Sequence, residues 1–335
     1  MQRQTRIWNH VDRPVFEAEI LAAHQPAILK GLVADWPLVV AARRSPAELC
    51  AYLTAFDCGL PIQAFLGAPE LRGRYFYNDD LTGLNFQERQ MHISALLGHL
   101  LEYSELQCPP SLYAGSVSIP QFLPGLEIGN PNALLDSLVA PNAWIGNRSR
   151  IGAHFDIAQN IACVVSGRRR FTLFPTEQLR NLYVGPMELT PAGRSMSLVD
   201  FSNPDFDKFP RFREALASSE VAELGPGDAL YIPTLWWHHV ESLDPISMLV
   251  NYWWNAPRAQ PDSPVDSLLH CLLSVRHLPA CERKAWRAIF DYYIFQTDEE
   301  PMAHVAADKR GMFAPQLPED AARRLRNHLL NSLNQ

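Results

Sequence analysis

Residues 152–175 read Gly152-Ala153-His154-Phe155-Asp156-Ile157-Ala158-Gln159-Asn160-Ile161-Ala162-Cys163-Val164-Val165-Ser166-Gly167-Arg168-Arg169-Arg170-Phe171-Thr172-Leu173-Phe174-Pro175. The apolar run Ile161–Val165 ends at Ser166-Gly167, and Arg170–Phe174 stops at Pro175, so the stretch predicts short strands joined by a tight turn. Alternate side chains of a strand share a face, which puts His154 and Asp156 on one side and Phe155 on the other. By the same parity 154, 156, 158 and 160 point together, and of the three arginines only Arg169 turns inward. An imidazole and a carboxylate side by side are two legs of a 2-His-1-carboxylate set, the ligand type that leaves positions open on a non-haem iron. An isolated HxD also arises by chance, so its weight depends on what surrounds it.

Working outward, the same texture continues. Gly225-Pro226-Gly227-Asp228 turns into Ala229–Pro233, and Met248–Trp254 is another apolar, aromatic run. Between them, Trp236-Trp237-His238-His239-Val240-Glu241-Ser242 supplies two histidines. On a regular strand His238 and His239 face opposite sides, so one can complete the ligand set, and spacing alone does not choose between them. Many short strands with turn punctuation over 111–257 predict an antiparallel barrel or sandwich. Residues 1–110 mix signals. Pro26–Leu32 reads as a short strand ending in a glycine turn, Ser45-Pro46-Ala47-Glu48 as a capped helix start, and His92–Tyr103 as a helix with a leucine stripe. From 258 to 335 the chain becomes helical, with leucines at 268, 269, 272 and 273 that predict a homodimer unless they pack on their own barrel.

Composition narrows the function. No apolar run is long enough to span a bilayer and the N-terminus lacks an apolar signal segment, so a cytoplasmic protein without membrane contact is expected. Six cysteines without a CxxC pair predict reduced thiols, with Cys163 a small buried hydrophobe. A net charge of -7 argues against bulk nucleic-acid binding. Arg168 and Arg170 read as a solvated edge, Asp79-Asp80 as turn chemistry, and one tryptophan of each pair 236-237 and 253-254 as core packing.

The stretches 152–175 and Tyr231-Ile232-Pro233…Trp236–Leu243, with Pro26–Pro37 and Tyr75–Asp80 upstream, resemble the JmjC and cupin-like 2-oxoglutarate oxygenases, most of all the branch of the asparaginyl hydroxylase that modifies hypoxia-inducible factor. The resemblance covers about 20–257. It implies a double-stranded β-helix (cupin, jelly-roll) barrel over 111–257, an N-terminal α/β extension over 1–110 packed on it, and C-terminal helices over 258–335, which resemble dimerisation helices more loosely. It implies His154, Asp156 and His238 as Fe(II) ligands and 2-oxoglutarate as co-substrate. Arg169 stands where the family commonly has a lysine for the distal carboxylate, a pairing that arginine can make bidentately. Tyr113 matches a tyrosine bonded to the same carboxylate, Asn160 and Asn251 match asparagines beside the co-substrate, and Trp253 matches an aromatic wall. One departure is Ile151, where the family usually has a hydroxyl residue.

The implied activity is hydroxylation of a protein or peptide side chain, or of a small molecule, with succinate and CO2 as co-products. The competing expectations are N-demethylation by the same chemistry, a tRNA-base hydroxylase, a metal cupin that uses no 2-oxoglutarate, and a binding module without catalysis. Arg169 and Tyr113 speak against the metal cupin, because an arginine facing a metal cavity has little purpose without a carboxylate partner. The intact HxD…H set speaks against the binding module, because a degenerate site should have lost a ligand.

Overall fold

A computed structural model describes residues 2–191, 193–255, 262–296, 298, 300–314 and 317–334. The chain divides into two compact units, 1–254 and 255–335. The boundary expected at 257/258 falls among residues 256–261, outside the described residues.

The first unit is built on two sheets. One has six strands in the order Arg3–Gln4, Glu220–Leu224, Arg169–Phe174, Trp237–Ser242, Ser149–Phe155 and Arg74–Tyr75. The other has nine: Ile7–Asn9, Ala27–Lys30, Ala229–Ile232, Gln159–Ser166, Ser247–Trp254, Pro141–Gly146, Ser111–Ser118, Ile62–Gly67 and Gln87–Met91. From Pro141 to Trp254 the chain crosses repeatedly between the sheets, four strands in each, which is the jelly-roll arrangement expected from the sequence. Tight turns make this possible. Gly167 adopts φ +70°, and a Cβ there would come within 2.8 Å of the Ile246 carbonyl, so only glycine fits.

Strand parity sorts the core. Ile161, Cys163 and Val165 face helices Pro37–Arg44, Pro46–Thr54 and Ile93–Ser104, joining a cluster with Leu38, Leu53 and Leu97. Ser45 caps the second of these helices by accepting from the Glu48 amide, and Ile93, Leu96, Leu97 and Leu100 bury the stripe of the third. Ala162 and Val164 face the other way, toward Phe171, Leu173, Leu230 and Leu249 between the sheets. The outer face of the six-stranded sheet, with Ala153, Phe174 and Trp237, is covered by Leu182, Val199 and Phe212 from the connection between Phe174 and Glu220. The strands of 1–110 extend both sheets: Arg74–Tyr75 pairs with Arg150–Ile151 in the six-stranded sheet, and Ala27–Leu29 with Ala229–Tyr231 in the nine-stranded one, where Phe65–Gly67 also pairs with Ser111–Tyr113.

The second unit contains helices Pro264–Ser274, Ala280–Phe290 continuing as a π-helical turn through Phe295, and Glu319–Leu333. Ser263 caps the first helix, Arg326 pairs with Asp262 at 2.7 Å, and Tyr293 stacks on Phe313. Among the described residues no helix is long and apolar enough to cross a membrane.

Candidate metal centre and its cavity

The strand Ser149–Phe155 pairs antiparallel with Trp237–Ser242, and the register decides the site. His154 lies opposite His238, but Val240 lies opposite Ile151, so three steps on one strand meet two on the other. This bulge at Gly152-Ala153 re-aims the strand. It brings Ile151 and His154, which simple alternation would separate, to the same cavity. Gly152 suits the position because a Cβ would meet the Met196 side chain at 2.8 Å. The strand itself ends at Phe155. Asp156 sits in the following turn, so the shared face of 154 and 156 is not that of one continuous strand. Phe155 points outward against Trp237, ring centroids 4.9 Å apart.

His154, Asp156 and His238 offer ligand atoms that all lie within 4.8 Å of one another. The Nδ1 of His154 is 2.9 Å from the Gly152 carbonyl and that of His238 is 3.0 Å from the Trp236 carbonyl. Each ring therefore donates through Nδ1–H to the backbone and presents the lone pair of Nε2, the tautomer a metal requires. His238 Nε2 lies 3.7 Å from Asp156 Oδ2. Burial pushes the His154 imidazole down to about 4, with His238 adding to the effect and Asp156 opposing it, so the ring is neutral at pH 7. Two imidazoles that each present Nε2 and a carboxylate, on three sides of a point, form the donor set suited to a divalent iron.

His239 takes no part. It faces the opposite side of the sheet and stacks on Phe201, centroids 4.3 Å apart. Burial first, then the nearby Arg150, lowers it to about 3. The unfolded ring titrates near 6.5. Between about pH 6.5 and 3 the unfolded chain thus holds a proton that the folded chain does not, and stability is lost as pH falls through that window. A whole proton corresponds to about 1.4 kcal/mol per pH unit. His239→Phe is expected to flatten the fall in unfolding free energy between pH 6.5 and 4 by about one proton, measured by urea titration. An unchanged slope would show that His239 is not held neutral.

The cavity around the three ligands measures about 240 Å³. Tyr113, Asn160, Arg169, Asn251 and Trp253 all line it, as the resemblance implies, and so does Ile151. Arg169 is 3 % exposed, and its Nε and Nη2 have no hydrogen-bond partner. Among the described residues its polar contact is the Tyr113 hydroxyl, whose own pKa is pushed up to about 12 by burial against the opposing pull of Arg169. The flanking arginines face outward: Arg168 pairs with Asp244 at 2.8 Å and Arg170 with Glu223 at 2.6 Å. An uncompensated buried cation costs several kcal/mol, so Arg169 sets up a strong demand for an anion inside the cavity.

The other polar groups form a chain. The Trp144 indole donates to Asn251 Oδ1 at 2.7 Å, Asn251 Nδ2 to Asn160 Oδ1 at 3.2 Å, and Asn160 Nδ2 approaches Asp156 Oδ2 at 3.5 Å. Trp253 donates to the same Asp156 oxygen at 3.1 Å. Sequence reasoning missed Trp144. The available signal was its inward parity opposite Leu249 and the need of a buried indole N–H for an acceptor.

Comparison with known proteins agrees with this geometry. The cupin-like domain family model matches residues 13–260. The chain belongs to the cupin-like JmjC oxygenase family. Human HSPB1-associated protein 1 is 28 % identical over 292 residues, 80 % of this chain and 56 % of that protein. Zebrafish (Danio rerio) lysine-specific demethylase 8 is 37 % identical over 254 residues, 72 % of this chain and 55 % of the relative. Lysine-specific demethylase JMJ31 of Arabidopsis thaliana is 36 % identical over 121 residues, 36 % of this chain and 22 % of the relative. The chain thus spans about half or less of the length of these relatives. The cavity of this JmjC-family chain, and every strand of both sheets except Arg3–Gln4 and Ile7–Asn9, falls inside the matched segment.

Proposed function

We propose that the chain is an Fe(II)- and 2-oxoglutarate-dependent hydroxylase, with His154, Asp156 and His238 as the metal ligands. The observation that carries this is the buried guanidinium of Arg169, whose Nε and Nη2 have no partner, in the same cavity as the ligand triad. Charge supports it. A divalent metal on Asp156 and two neutral histidines leaves one positive charge, and Arg169 adds another. A dicarboxylate cancels both, with its keto-acid end at the metal and its far carboxylate on Arg169 and Tyr113. The strand register agrees in scale: Arg169 pairs with Ser242 and Leu173 with His238, four residues apart, or roughly 13 Å of strand. A diacid and one arginine side chain together span that separation.

Bound iron and 2-oxoglutarate supply oxidation of a C–H bond by oxygen, with succinate and CO2 released. The protein's residues bind and orient. The imidazole Nε2 atoms and the Asp156 carboxylate fix the metal, and Asn160 and Asn251 lie beside the co-substrate. Phe171, Ile232, Val240 and Leu249 keep the cavity apolar and exclude water. Ile151 closes the wall where a hydroxyl would add one bond to the co-substrate, so Arg169 carries more of its binding here. The prime substrate is a protein or peptide side chain, or a small molecule of similar reach. Demethylation, the activity for which two of the relatives are named, needs the same oxidation at a carbon attached to nitrogen and is the second reading. The net charge of -7 places a tRNA base behind both.

The test is anaerobic addition of Fe(II) and 2-oxoglutarate to the metal-free protein. A visible iron-to-keto-acid charge-transfer band is expected, absent in His238→Ala. Iron binding without the band would replace the hydroxylase with a metal cupin of other chemistry.

We further propose a cytoplasmic homodimer formed through the C-terminal helices. Leu268, Leu269 and Leu273 are 48 %, 48 % and 75 % exposed, along with Trp286, Ile294 and Phe295. Light scattering is expected to give twice the chain mass, and the mass of one chain would remove the dimer.

A further inference from the structure

Asp156 differs from the two histidine ligands in how it is held. Each histidine is fixed by a backbone carbonyl, whereas Asp156 sits past the end of its strand with a free carboxylate rotor. Its backbone carbonyl is anchored by the Leu235 amide at 2.8 Å, which does nothing to aim the side chain. What aims the side chain is polar and comes from two indoles. Resting on the metal-ligand assignment above, we infer that Trp253 and Trp144 are positioning residues for Asp156, Trp253 directly through its N–H and Trp144 through the amides of Asn251 and Asn160.

Donor and acceptor inventory makes the arrangement unique. An indole is a donor only, and an ionised carboxylate an acceptor only. An asparagine amide can turn over, exchanging its oxygen and nitrogen. Here the Trp144 N–H takes Asn251 Oδ1 at one end of the chain and Asp156 takes the Asn160 Nδ2 at the other. With both ends fixed, neither amide can turn without breaking two bonds, and every N–H in the chain points toward Asp156. The last link, at 3.5 Å, is at the outer limit of a hydrogen bond, so most of the hold comes from Trp253 at 3.1 Å. The two indoles also fix one another. Their rings meet edge to face at 5.5 Å and 89°.

The experiment is Co(II) binding in place of Fe(II), followed by visible absorption without turnover, with thermal unfolding run in parallel. Trp253→Phe keeps a ring and removes the N–H. It should weaken Co(II) binding about tenfold or more, the usual effect of losing a group that orients a ligand. Trp253→Gln discards the ring and keeps an N–H donor. It should stay within about threefold of wild type while unfolding at lower temperature than the Phe variant. Wild-type affinity in Trp253→Phe, or weaker binding in Gln than in Phe, would show that the ring acts by packing and would overturn the inference. Trp144→Phe should weaken binding about threefold, and that loss should vanish in an Asn160→Ala background. An equal loss in both backgrounds removes Trp144 from the chain. If wild-type protein does not take up Co(II), or Asp156→Ala takes it up as well as wild type, the metal assignment itself fails. If both behave as assigned and Trp253→Phe is normal, only the positioning role fails.

Discussion

His238→Ala is expected to abolish iron binding and 2-oxoglutarate turnover, whereas His239→Ala should keep the metal and lose stability instead. Losing a group that merely supports a ligand costs roughly ten- to a hundredfold in metal affinity, and losing the ligand costs more. Adjacent in sequence, the two histidines occupy opposite faces of the six-stranded sheet. His238 faces His154 and Asp156, and His239 packs on Phe201. The loss at His239 should be about 1–3 kcal/mol, the usual range for truncating a buried side chain. Metal analysis of the purified variants, with thermal unfolding, separates the two. Metal retained in His238→Ala and lost in His239→Ala would overturn the assignment.

The second large effect concerns Arg169, where function and stability should move in opposite directions. Arg169→Met fills similar space and removes a buried cation that has no anionic partner among the described residues. Replacing buried charge by an apolar side chain is often neutral or stabilising by about 1–4 kcal/mol, so the ligand-free variant should unfold at a temperature equal to or above that of wild type. Its affinity for 2-oxoglutarate should fall on the order of a hundredfold or more, because the co-substrate's far carboxylate would then be buried unpaired. Mn(II) with 2-oxoglutarate should therefore raise the melting temperature of wild type and leave that of the variant nearly where Mn(II) alone puts it. A destabilised variant that still binds 2-oxoglutarate would show that Arg169 is a packing residue.

Much of this is legible in the sequence because strand geometry is periodic. Alternation alone sends Arg169 inward between Arg168 and Arg170, and the turn at Gly167 follows from its residue types. The HxD pattern points to two of the three candidate ligands, His154 and Asp156, which the structure brings together with His238. The choice between His238 and His239 is not legible from spacing and came only from the family resemblance. It depends on which face of the strand points inward and on a bulge on the neighbouring strand, a relation between residues more than eighty positions apart. The partner of Asp156 is hidden for a similar reason. Trp253 reads as an aromatic wall, and nothing local says where its N–H will point. Trp144 belongs to a third strand and reaches Asp156 only through two intervening amides. Periodicity reports which side of an element a residue occupies. Which atoms meet across elements is set by register, and register is a tertiary property.

The nine-stranded sheet has a practical consequence for dissecting this protein. Within it the four strands of 141–254 do not form its edges: Ala229–Ile232 is capped by Ala27–Lys30, and Pro141–Gly146 by Ser111–Ser118, itself paired with Ile62–Gly67. A fragment trimmed to 141–254 would retain every proposed metal ligand yet lay bare two rows of backbone N–H and C=O groups, next to apolar strands such as Ala229-Leu230-Tyr231-Ile232. Exposed edges of that kind recruit other strands, so such a fragment should self-associate into insoluble β-rich material. The strands that flank this segment thus serve as a guard against aggregation as well as lending Phe65 and Tyr113 to the cavity wall.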